Sequence, residues 1–119
     1  MRTFIKGFVH AIDGVFGSWT LGRNFRIQVF CGLISIVLCL LLKIHSWELI
    51  AILLLIGGVL SLETINTSIE KLCDLISLDR DPKIKIIKDL SAGAVLIFSV
   101  FALVIGCLIF IPKIIFVFS

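Results

Sequence analysis

The sequence predicts an all-α membrane protein with an N-terminal amphipathic helix in the membrane interface and three transmembrane helices. Three observations carry this. Of 119 residues, 60% are hydrophobic and 16% charged, where soluble domains are about 45–50% apolar. The excess falls in three long runs. The Lys and Arg residues also alternate in density: four before the first run, one after it, five between the second and third, and one at the end. Basic loops stay on the cytoplasmic side. The pattern therefore places the N-terminus and the 71–89 loop in the cytoplasm, and the 43–48 turn and the C-terminus outside. One domain, 1–119, is the natural unit for this length. The net charge of +3 is modest; topology accounts for it, and it calls for no nucleic-acid partner.

The elements follow in order. Over residues 1–22, Phe4, Ile5, Phe8, Val9, Ile12, Val15 and Phe16 recur at helical spacing, with Arg2, Lys6, His10 and Asp13 largely between them. That is the pattern of a helix lying in the interface. It lacks a clean apolar core and a small-residue cleavage site, so it is expected to stay in the mature protein. A break within Gly17–Gly22 turns the chain into the first span, about 25–43, where Ile27–Leu42 carries no charge and Arg26 and Lys43 snorkel to the headgroups. The second span is about 49–76. Leu49–Leu62 has only 14 residues before Glu63, and a span needs about 20, so the helix must continue past that carboxylate. Ser77–Pro82 reads as a loop. The third span, about 85–111, contains the uncharged Leu90–Ile111, bounded by Pro112 and Lys113. Trp19 and Trp47 stand near segment ends, where amphipathic rings sit at headgroup level. Cys31, Cys39, Cys73 and Cys107 form no CxxC or Cys/His cluster and read as small reduced hydrophobes.

Helix two carries the chemistry. At about 100° per residue, Glu63, Asn66, Glu70 and Asp74 fall within about 80° of arc, with Thr67 beside them. The plain alternative is that the helix simply leaves the bilayer here. That accounts for Glu70, Lys71 and Asp74 but poorly for Glu63, because an acid at mid-span costs roughly 2.5–3.5 kcal/mol. Two carboxylates and an amide are hard oxygen ligands suited to Mg²⁺, which is commonly held by one or two carboxylates together with substrate phosphates. A carboxylate in a site of low dielectric is also suited to take a proton from a hydroxyl. Phosphoryl transfer to an alcohol uses both, and its catalysis is mostly positioning and charge neutralisation. On helix three, Lys88 is a candidate phosphate contact, or else a topological anchor together with Lys85. The small residues of Ser91–Ala94 permit close helix packing. No P-loop and no kinase-type glycine loop is present.

The block Glu63-Thr64-Ile65-Asn66-Thr67-Ser68-Ile69-Glu70, then Asp74, then Lys88-Asp89 with Ser91-Ala92-Gly93-Ala94-Val95-Leu96, resembles the prokaryotic diacylglycerol kinase family, which includes undecaprenol kinases. Arg23-Asn24-Phe25-Arg26-Ile27 is similar to the family's approach to its first span. The resemblance covers essentially the whole chain. It implies a homotrimer in the bacterial inner membrane with sites shared between subunits, MgATP as donor and a membrane lipid alcohol as acceptor. It implies Glu63 as general base, Glu70 as metal ligand, and Asn66, Lys88 and Asp89 on the nucleotide and its phosphates, with Asp74 and Asn24 in support. The Ala92–Leu96 run leans toward undecaprenol over diacylglycerol.

One position departs from the family. A glutamate that helps hold the metal usually stands three residues before the phenylalanine of the Asn-Phe-Arg block; here it is Gly22, and no acid lies between Asp13 and Glu48. Loss of a carboxylate weakens Mg²⁺ binding. It leaves open a second reading, a catalytically degenerate family member serving as a non-enzymatic membrane scaffold.

Overall fold

A computed structural model describes residues 1–77 and 79–119; of the expected 77–82 loop, Leu78 lies outside the described residues. Among the described residues four helices follow one another: α1 Arg2–Leu21, α2 Arg23–Leu41, α3 Ser46–Ile76 and α4 Pro82–Phe118. The last three are long and apolar enough to cross a membrane.

Local chemistry sets each boundary. Gly22 alone separates α1 from α2, with extended backbone at φ −111° and ψ 105°. Its N–H donates to the Ser18 carbonyl at 3.0 Å, and a Cβ at Gly22 would stand 2.8 Å from that carbonyl oxygen. The close return of the α1 terminus therefore needs glycine for space. Helix α3 starts at Ser46, where the Glu48 carboxylate accepts the His45 backbone N–H at 3.0 Å, satisfying a donor that the first turn leaves free. At the start of α4, Asp81 accepts the Lys83 N–H at 2.8 Å and Pro82 occupies the first helical position, where its missing N–H costs nothing.

Helix α4 runs past the expected end at Ile111 and continues to Phe118 with Pro112 inside it. Proline removes one backbone bond, but the apolar stretch Ile114–Phe118 continues the helical pattern. Lys113 is also tied to α3 through Glu48, at 3.0 Å. With about 1.5 Å rise per residue, the 31 residues of α3 and the 37 of α4 exceed the roughly 30 Å hydrocarbon thickness, so both have length to spare at their ends.

Packing is inverted relative to a soluble domain. Ser18, Glu48, Glu63 and Asn66 are buried, whereas Leu54, Phe101, Leu103 and Leu108 are each more than 60% exposed. A chain whose solvent is lipid keeps polar groups inside and turns apolar ones outward. Helices α3 and α4 pack most closely. A Cβ on Gly58 would fall 2.2 Å from the Phe98 ring, so glycine lets that ring reach the α3 backbone. A small apolar core of Cys39, Ile52 and Ile109 lies toward the 42–45 turn. Residues 1–16 of α1 are exposed throughout, and the helix joins the bundle at its last turns, where Ser18 is buried. All four cysteines are free thiols.

Candidate functional site

The length of α3 beyond its 14-residue apolar run puts a line of polar side chains along its second half. Glu63 opens that line, only 4% exposed. The Gln28 side-chain amide on α2 donates to Glu63 Oε2 at 3.2 Å. Among the described residues, no cation lies within 4 Å of Glu63. One turn on, Asn66 is buried and bonded on both sides of its amide: Ser91 on α4 donates to its Oδ1 at 2.7 Å, and its Nδ2 donates to Glu70 Oε1 at 3.3 Å. The orientation of Asn66 is thereby fixed, and with it one oxygen of Glu70. Asp74 ends the line in an ion pair with Lys88 of α4 at 2.7 Å.

Five of the anticipated residues, Glu63, Asn66, Glu70, Asp74 and Lys88, thus form one continuous line where α3 faces α2 and α4. Two others stand apart. Asp89 is exposed and pairs with Lys85 one turn back on its own helix, a surface contact that contributes little. Asn24 is exposed on the first turn of α2 and bonds to none of the line among the described residues.

Three contacts at the site were absent from the sequence reading. Ser91, taken only as a small packing residue, orients Asn66. Ser18 of α1 lies within hydrogen-bonding distance of Thr64 Oγ1, 3.0 Å, and of its own Gly14 carbonyl, 3.1 Å. Thr64 in turn donates to the Leu60 carbonyl, so α1 is pinned beside Glu63. Gln28 is the third; its signal in the sequence is a lone amide near the start of an apolar run.

The fit to a divalent cation is specific in kind. No group of three or more His, Cys, Asp or Glu side chains capable of holding a metal occurs among the described residues. Glu70 is half-buried and, among the described residues, has no Lys or Arg within 4 Å. That donor set does not make a protein cage. It suits Mg²⁺, which keeps several waters and takes one or two carboxylates plus phosphate oxygens.

Residues 9–110 match the family described as Prokaryotic diacylglycerol kinase. The chain belongs to that family. It is accordingly a lipid kinase by family. It is 40% identical to an undecaprenol kinase of Bacillus subtilis over 113 residues, 95% of this chain and 92% of the relative. It is 32% identical to a diacylglycerol kinase of Synechocystis over 109 residues, 91% of this chain but 62% of that longer relative. The matched region of the family takes in all of α2 and α3, and with them every residue of the polar line on α3.

Proposed function

We propose that this family member transfers the γ-phosphoryl group of MgATP to the hydroxyl of a membrane lipid alcohol, with undecaprenol favoured over diacylglycerol. The observation that carries the mechanism is the state of Glu63: a carboxylate buried mid-helix, held by a neutral amide and unmatched by a cation. In the reaction, the lipid hydroxyl gives its proton to Glu63 as its oxygen bonds to the γ-phosphorus. The bond from that phosphorus to the bridging oxygen breaks, and ADP leaves.

About three helical turns separate Glu63 from Asp74, and the reacting phosphate lies along that line, between the base and the Lys88 ammonium. Lys88 turns from Asp74 toward phosphate oxygens. Asn66, locked by Ser91, keeps Glu70 turned along the line. Glu70 would hold Mg²⁺, which when bound neutralises phosphate charge. The undecaprenol preference rests on the relative of that name, matched over nearly its full length, and on the Ala92–Leu96 run.

The placement in the membrane follows from charge. The 4, 1, 5, 1 distribution of Lys and Arg supports a bacterial inner-membrane protein with a cytoplasmic N-terminus, an outside C-terminus and α1 in the cytoplasmic interface. The stranding of Asp89 and Asn24 away from the line supports a homotrimer in which a neighbouring subunit completes each site.

The test is the purified protein in mixed micelles with γ-labelled ATP and Mg²⁺, offered undecaprenol or diacylglycerol separately. Label in undecaprenyl phosphate above that in phosphatidic acid is the expected result. Label in neither, from a folded protein, removes the reading. The degenerate-scaffold reading draws on Gly22, where a side chain would collide with the Ser18 carbonyl. Under that reading the wild-type protein transfers next to no label at any Mg²⁺ concentration.

A further inference from the structure

The amide of Gln28 is used on one side only. Its Nε2 donates to Glu63 Oε2 at 3.2 Å, while its Oε1 is buried with no hydrogen-bond partner, the one such side-chain atom among the described residues. A buried unpaired acceptor is costly and is not expected in a side chain that serves packing alone. Gln28 sits at the edge of an apolar groove of about 480 Å³ between α2, α3 and α4, lined by Gly32, Ile56, Ala102 and Phe110 among others.

The reaction supplies the missing donor. Before transfer Glu63 is a carboxylate and needs a donor; after transfer it carries the lipid proton and needs an acceptor. A primary amide has both at one end, exchanged by rotation about its last bond. No other side chain hydrogen-bonds Glu63 among the described residues.

We propose that Gln28 is a positioning residue that holds Glu63 in both of its protonation states: its N–H₂ pairs with the carboxylate, and its C=O pairs with the carboxylic acid formed in the reaction. In the first state it fixes Oε2 and leaves Oε1 for the lipid hydroxyl. In the second it keeps the acid in place until the proton passes to water and the cycle restarts. This rests on Glu63 as base.

The experiment compares Gln28→Met, of similar length without donor or acceptor, with Gln28→His, which has both. Glu63→Gln is run alongside, and all are assayed for transfer from γ-labelled ATP to undecaprenol or diacylglycerol. Gln28→Met is expected to lower kcat by about tenfold to a hundredfold, the worth of a hydrogen bond to a charged group, with KM for MgATP within about twofold of wild type. Gln28→His is expected to recover most of that kcat. A Gln28→Met kcat near wild type overturns the inference, and so does a Gln28→His variant as slow as Gln28→Met. If Gln28→Met does not assemble, Gln28→His alone decides, since a folded Gln28→His with the Met-like loss is contrary to it. An active Glu63→Gln sinks the base reading as well; an inactive Glu63→Gln beside a fully active Gln28→Met sinks only the role of Gln28.

Discussion

Helix α3 buries two carboxylates, one in its first turn and one just past its middle, and treats them oppositely. Glu48, beside the 42–45 turn, is 7% exposed; its Oε2 meets the Lys113 ammonium at 3.0 Å and the His45 N–H at 3.0 Å. Glu63, 15 residues on, is 4% exposed and meets one neutral amide at 3.2 Å. A carboxylate matched by a cation and a backbone donor is committed to its charged form, and here it ties the start of α3 to the end of α4. A carboxylate held by an amide alone has no counter-charge and ties no second helix by an ion pair. Both are buried, so burial alone does not mark the working acid. Its partners do.

This contrast sets the order of effects. The largest falls at the unmatched carboxylate: Glu63→Gln should reduce kcat by about 10²–10⁴-fold, the range for removing a positioned base, with the thermal unfolding midpoint in detergent nearly unchanged. Next comes Glu70→Gln, which should raise the Mg²⁺ concentration for half-maximal rate by about tenfold, since affinity follows the number of ligand charges; a Mg²⁺ titration of the initial rate reads it. Lys88→Met removes the ammonium at the far end of the line and should raise KM for MgATP several-fold while the KM for lipid stays put. Smallest in activity is Lys113→Met. It strands the buried Glu48 charge and should lower the unfolding midpoint, yet leave kcat within about twofold, because distant sites act independently.

What the sequence made legible was whatever repeats locally. Length and run pattern give three spans, the Gly17–Gly22 stretch a break before the first of them, and helical periodicity the polar face of α3. Each is a property of neighbours within a few turns. The contacts that give those residues their roles join distant segments: Gln28 with Glu63 are 35 residues apart, Ser18 with Thr64 are 46, and Ser91 with Asn66 are 25. No period records them. Glu48 shows the same limit: the sequence places it only in the turn on the outer side, and the continuation of α4 through Pro112 brings Lys113 to it. The resemblance to a family named the site residues of the line, but it did not show that Asn66 is locked by Ser91 or that Gln28 has an acceptor to spare.

The two buried carboxylates of α3 also provide the most direct test of the central claim, that the unmatched carboxylate is the base of a lipid kinase. The measurement is the rate of label transfer from γ-labelled ATP to lipid by Glu63→Gln and by Glu48→Gln, at equal protein in the same micelles. The account predicts loss of transfer in Glu63→Gln and a near wild-type rate in Glu48→Gln, whose deficit appears only on heating. Equal rates in the two variants, or a Glu63→Gln enzyme as fast as wild type, would contradict it.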